Sequence, residues 1–113
     1  MGGWREEWET ASYRISLDGS DADFLRVRMR IERGQLVRFT AQYEAVVAGR
    51  VYAVVRYDTA HGSPHRDLLD WAGRVVDKRF VGTAPYGEVL DAATKDIHAT
   101  WRTYRSAFEG LER

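Results

Sequence analysis

Apolar and polar residues alternate with a period of two through the first two-thirds of the chain. Ala11, Tyr13, Ile15 and Leu17 alternate with Thr10, Ser12, Arg14 and Ser16, and Leu25, Val27, Met29 and Ile31 alternate with Arg26, Arg28, Arg30 and Glu32. Further on, Val37, Phe39, Ala41, Tyr43 and Ala45 alternate with Arg38, Thr40, Gln42 and Glu44. Val51, Ala53, Val55 and Tyr57 then alternate with Tyr52, Val54, Arg56 and Asp58. Successive strand residues point to opposite faces of a sheet, so each stretch reads as a half-buried β-strand. The segments between them, DGSDAD, RGQ and AGR, carry the Gly, Asp and Ser of turns. A shorter hairpin is expected from HRDLLD, the turn WAG and RVVDKRFV.

The period then changes. Leu90, Ala93, Ile97, Trp101, Tyr104, Phe108 and Leu111 recur at spacings of three and four, which puts them on one face of a helix about 24 residues long. Pro85 suits a first helical turn, and Glu88 and Asp91 lie toward the positive end of the helix dipole. The apolar stripe reads as core contact with the sheet. The expected fold is α+β: an antiparallel meander sheet of about four to six strands with one long C-terminal helix packed across one face, a single domain over residues 1–113.

Register extends this reading, because a slip of one residue sends every side chain to the wrong face. Keeping apolar opposite apolar sets Ile31 across from Val37 and Met29 across from Phe39, with Arg33-Gly34-Gln35 as the loop. The same rule sets Val47 across from Val51 around Ala48-Gly49-Arg50, and Tyr43 across from Val55. In both loops the glycine is central rather than last, the usual left-handed slot of a three-residue loop, so a bulge is compatible with each. On the other face Arg30 then meets Arg38, Arg28 meets Thr40, Thr40 meets Asp58, and Arg26, Gln42 and Arg56 form a row. Like charges directly opposed across strands are unfavourable unless an anion compensates. Solvated arginines whose stems cover apolar surface are the plainer explanation.

Charge changes the picture only locally. Lys plus Arg and Asp plus Glu both number 17, so no global charge steers the chain to nucleic acid or membrane, and the basic strand face stands out within a formally neutral protein. No cysteine is present, which excludes disulfides and thiolate metal sites. The N-terminal MGGWREEWE is too charged for a signal peptide, and no apolar run approaches the roughly 20 residues of a membrane span. A cytoplasmic protein with no membrane association is expected.

The densest chemistry lies in VVRYDTAHGSPHRDLLDWAG, residues 54–73. As a capped turn, Asp58 bonds its own backbone, Gly62 supplies a positive φ and Pro64 fixes the chain before the next strand. As a metal site, His61 and His65 with Asp58 and Asp67 have suitable ligand types, but Gly62-Ser63-Pro64 forbids the helix that a four-residue His spacing needs; no metal and no cofactor are expected. As an acid–base site for a phosphodiester, His61 and His65 divide proton transfer and Asp58 orients a histidine. Arg56 and Arg66 hold phosphate, while Arg26, Arg28, Arg30 and Arg38 follow the backbone by charge. RNA supplies its own 2′-hydroxyl nucleophile, so such cleavage needs no metal. His98 lies off the apolar stripe and reads as partly exposed. Trp4 and Trp8 are placed at a sheet edge or a dimer contact, and Trp71 is either a lid on the sheet or an interface anchor.

Arg56-Tyr57-Asp58, His61-Gly62 and His65-Arg66-Asp67, followed by the terminal helix with DAATKDIHATWRTYRSAF, resemble a family of small prokaryotic proteins of unknown function. The loop is also similar to that of TumE-type toxins of toxin–antitoxin pairs, although Ser63-Pro64 here separates the glycine from His65, where those toxins have a denser histidine run. The second resemblance implies an RNA target and an antitoxin partner of the helix-turn-helix type. The expected function is therefore that of a toxin–antitoxin-associated, nucleic-acid-directed protein, with metal-independent RNase activity as its sharpest form. The alternative is a non-catalytic module that binds a protein, or a second copy as a homodimer, through the exposed sheet face.

Overall fold

Six antiparallel strands follow in chain order across one sheet: β1 (Ala11–Ser16), β2 (Asp23–Glu32), β3 (Gln35–Val47), β4 (Arg50–Asp58), β5 (His65–Leu69) and β6 (Val75–Phe80). One helix, α1 (Tyr86–Glu109), follows them. This computed structural model describes residues 8–113, apart from the side chain of His61. Trp4 and the His61 imidazole, both singled out above, lie outside the described residues. Every strand pairs with its sequence neighbour, so short turns suffice throughout, and the meander expected from period-two alternation is the fold.

The turns differ from the three-residue loops expected above. Glu32 pairs with Gln35 and Val47 with Arg50, which leaves Arg33-Gly34 and Ala48-Gly49 as two-residue turns. Both members of each pair have positive φ: 52° and 77° in the first, 52° and 79° in the second. That is the type I′ geometry, whose twist matches the right-handed twist of the flanking strands. The central glycine is thus the second of two turn residues, and the slip is absorbed by bulges. Between Arg30 and Ile31 the register shifts so that Ile31 meets Leu36 rather than Val37, and between Tyr43 and Glu44 it shifts so that Glu44 meets Ala53.

The second bulge has a packing consequence. Val55 and Tyr57 face the helix, but past the extra residue Val54 the alternation reverses and Tyr52 takes the helix side, opposite Ala45. Tyr52 there meets Trp71 at 4.9 Å and Phe108 at 6.1 Å between ring centroids. Trp71, whose indole N–H donates to the Leu111 carbonyl at 3.2 Å, is therefore a lid over this end of the core.

Helix α1 lies mainly over β3. Tyr86 at its start meets Phe39, and Trp101 two-thirds of the way along meets Tyr43. Leu25, Val27, Phe39, Ala41, Tyr43 and Val55 close against Val89, Ala93, Ile97, Trp101 and Phe108. Each fully buried large side chain contributes roughly 1.5–3 kcal/mol by leaving water. Val89 rather than Leu90 begins the buried stripe, because the helix rests on the sheet along positions spaced by four. Two carboxylates fasten the helix to the sheet. Asp23, 4% exposed, accepts from the Tyr43 hydroxyl at 2.5 Å and from Arg105 at 2.7 Å. Asp96 accepts from the hydroxyls of Tyr57 and Tyr104 at 2.6 and 2.5 Å. Burial first, and then these hydrogen bonds, push all three phenols above the ordinary tyrosine pKa.

Candidate functional site

The strand register builds the site on the face away from the helix. Directly opposed residues place Arg14, Arg26, Gln42, Arg56, Asp67 and Lys78 in one row across all the strands. The neighbouring row is Ser12, Arg28, Thr40, Asp58, His65 and Phe80, and beyond it Arg30 faces Arg38. The like-charge pairing expected from sequence is real. Steps between strands are about 4.8 Å, so Arg14 and Arg26, and likewise Arg30 and Arg38, stand one step apart, while Gln42 separates Arg26 from Arg56.

A groove of about 330 Å³ opens between the rows. Arg26, Arg28, Arg38 and Arg56 line it, with Trp8, Thr40, Gln42 and Glu44 as the remaining wall. Several of these side chains are held in place. Arg28 pairs with Glu9 at 2.5 Å, and its guanidinium lies 4.7 Å from the centre of the Trp8 ring. Arg38 lies over the same ring at 4.0 Å. Arg56 donates to Gln42 at 2.8 Å, Gln42 donates to Glu44 at 2.8 Å, and Arg14 donates to Glu44 at 3.1 Å. Glu44 is 5% exposed, so this carboxylate is a buried anchor for the row rather than a free anion. Arg30, outside the groove, pairs with Glu32 at 2.9 Å and donates to the Trp8 carbonyl.

The Arg26 side chain makes no ion pair or hydrogen bond among the described residues, and the side chains of Arg38 and Arg56 make no ion pair among them. Asp67, across from Arg56, is taken by Lys78 at 2.9 Å. Among the described residues the groove therefore offers three guanidinium groups without a carboxylate partner, with Arg38 oriented by the Trp8 ring and Arg56 by the Gln42 amide. Guanidinium groups so placed bind phosphate or carboxylate oxygens through paired N–H donors.

The loop residues separate. Arg66 stands across from Tyr57 on the helix side, near the Tyr104 hydroxyl and Asp77, each at 3.5 Å. Burial works against its charge, but the facing phenols and Asp77 outweigh it and raise its pKa. Arg56 and Arg66 do not meet, because adjacent strand positions point to opposite faces. Asp58 and His65 do share the arginine face, directly opposite one another. The Asp58 carboxylate accepts the Ala60 N–H at 2.9 Å, and Gly62 takes a φ of 85°, so the segment is a capped turn. Tyr86 donates to the Gly62 carbonyl at 2.7 Å and ties the turn to the start of α1. His65 Nδ1 lies 2.7 Å from the Ser63 carbonyl, which only accepts. Nδ1 therefore carries the proton, and in the neutral ring Nε2 is left as the basic nitrogen. His98 is exposed on α1. No group of three His, Asp or Glu side chains suited to a metal occurs among the described residues.

Sequence reasoning missed the part played by Trp8 and the Arg56–Gln42–Glu44–Arg14 chain. Gln42 and Glu44 alternate outward beside Arg56, which was a legible sign, whereas Trp8 precedes any periodic segment.

Residues 5–113 match the model of a family described as a domain of unknown function (DUF7718), and the chain belongs to that family. No curated protein matches the chain. No solved structure matches it either. No helix among the described residues is long and apolar enough to cross a membrane.

Proposed function

We propose that this protein binds single-stranded nucleic acid, RNA foremost, on the arginine face of its sheet. The observation that carries the reading is the groove in which Arg26, Arg38 and Arg56 stand beside Trp8 without carboxylate partners among the described residues. A flat row of guanidinium groups across several strands suits a flexible backbone with repeated phosphates better than a small ligand needing enclosure. The test is binding of a labelled single-stranded RNA, followed by fluorescence anisotropy over a salt series. With three to four phosphate contacts, log K falls against log salt with a slope of about −2 to −3. Salt-independent binding, or none, overturns the reading.

Metal-free cleavage is the finer form of this proposal. His65 has Nε2 available and Asp58 opposite it, one row from the groove. RNA incubated with the protein and a chelator should be cut, and the His61→Ala, His65→Ala double variant should lose cutting while keeping binding. A toxin role with a helix-turn-helix antitoxin rests on the likeness of the loop to TumE-type toxins. It is tested by growth arrest on expression and its relief by the neighbouring gene product.

The second reading is a non-catalytic protein-binding module that uses the same face. It is favoured by the capping of the loop through Asp58 and by the engagement of His65 with a backbone carbonyl. Co-purification of an acidic protein in place of nucleic acid would select it.

A further inference from the structure

The two edges of the sheet are not alike. At one edge β6 carries Asp77, Lys78 and Arg79 and a register irregularity between Leu68 and Leu69, features that discourage pairing with another strand. At the other edge β1 reads Ala-Ser-Tyr-Arg-Ile-Ser, without proline or lysine, and no described residue pairs with its outer side. Its single charge, Arg14, is committed to Glu44 on the arginine face. On the helix side Tyr13 and Ile15 are 42% and 40% exposed, because α1 lies over β3 and leaves this edge uncovered.

The hydrogen-bond phase of β1 is fixed. The Leu17 N–H donates to the Asp23 carbonyl at 2.9 Å, directly opposite it. Antiparallel partners alternate between bonded and non-bonded pairs, so Ala11, Tyr13, Ile15 and Leu17 turn their backbone groups to β2. Ser12, Arg14 and Ser16 then turn theirs outward, unpaired. An isologous antiparallel pairing of two such edges must bond these outward residues to one another and keep faces matched. Two registers meet both conditions while leaving only one end residue of β1 outside the pairing. With Arg14 on the two-fold axis, guanidinium opposes guanidinium. With Tyr13 on the axis, tyrosine meets tyrosine in a close non-bonded pair, Ala11 meets Ile15, and Ser12 exchanges backbone bonds with Arg14 of the other copy. Both set apolar against apolar, Tyr13 meeting Ile15 in the first, and only the second avoids opposed like charges.

We infer that β1 is a homodimerisation edge, joining a second copy of this chain with Tyr13 at the two-fold axis to form one continuous sheet of twelve strands, twice the six of one copy. The arginine faces of both copies then lie on the same side. The inference stands independently of what that face binds.

The chain has no cysteine, which makes cross-linking unambiguous. Across a non-bonded pair the β-carbons lie about 4.5–5.5 Å apart, within reach of a disulfide, whereas diagonal neighbours at about 7–8 Å are not. Under mild oxidation the Tyr13→Cys variant is expected to run as a covalent dimer on a non-reducing gel, and Arg14→Cys as a monomer. Sedimentation of the unmodified chain should give twice the monomer mass. Ser12→Pro removes an N–H that points only outward, so it should return the mass to that of the monomer with an unchanged circular dichroism spectrum. Should that variant not fold, Tyr13→Asp, at a site already 42% exposed, provides the same loss of dimer. A monomer at every concentration, cross-linking at position 14 rather than 13, or a Tyr13→Asp variant that folds and still dimerises overturns the inference.

Discussion

Arg56 and Arg66 stand on opposite faces of one sheet: Arg56 is directly across from Asp67, and Arg66 is directly across from Tyr57 beneath the helix. Residues that look like one phosphate clamp in the sequence therefore belong to different environments. Arg56→Ala, or Arg26→Glu with Arg38→Glu, is expected to weaken RNA binding at least tenfold and flatten its salt dependence. Arg66→Ala is expected to leave binding unchanged and to lower the melting temperature, through loss of its contacts with Tyr104 and Asp77. Anisotropy titrations and thermal melts of the same preparations separate the two effects.

The Asp23 carboxylate joins β2, β3 and the last turns of α1 through Tyr43 and Arg105. Among the described residues, replacing it by alanine leaves a buried phenol without an acceptor and Arg105 with only Glu109. Hydrogen bonds to charged groups are worth about 1.5–3 kcal/mol, and Asp23→Ala should destabilise the fold by an amount of that order. Urea unfolding at neutral pH measures it. An equal loss from Tyr43→Phe is not expected, since Asp23 keeps Arg105.

Alkaline pH should act through the same tyrosines. In the unfolded chain a phenol ionises near its ordinary pKa of 10.0, while in the folded protein Tyr43, Tyr57 and Tyr104 hold their protons to higher pH. Above that value the unfolded state binds fewer protons than the folded state, so stability is full below about pH 10 and falls as pH rises further. Melting temperatures across that range, with tyrosinate absorbance followed in parallel, should show the decline, and Tyr57→Phe should make it shallower.

The type I′ turns offer a local test. Ala48 has a φ of 52°, a conformation that asparagine tolerates better than alanine, and Gly49 follows with a φ of 79°. Ala48→Asn is expected to stabilise the protein by a few tenths of a kcal/mol up to about 1 kcal/mol, and Gly49→Ala to destabilise it by about 1–2 kcal/mol. Matched denaturant curves decide both.

Alternation from Thr10 to Asp58 and the three-and-four spacing from Leu90 to Leu111 determined the strands, the helix and the meander, because side-chain period follows directly from backbone geometry. The same alternation was enough to oppose Arg30 to Arg38 and to align Arg26, Gln42 and Arg56, since burying one face dictates what stands on the other. Local pattern allowed a bulge in each hairpin but did not place them at Val37 and Val54, because Leu36-Val37 and Val54-Val55 are apolar pairs that fit either phase of the alternation. Only the paired strands decided that Tyr52 turns to the helix, that Arg66 leaves Arg56, and that Trp8 comes to rest on Arg28 and Arg38. Those outcomes depend on the twist of the hairpins and on contacts between residues far apart in the chain, which no periodicity along the sequence encodes.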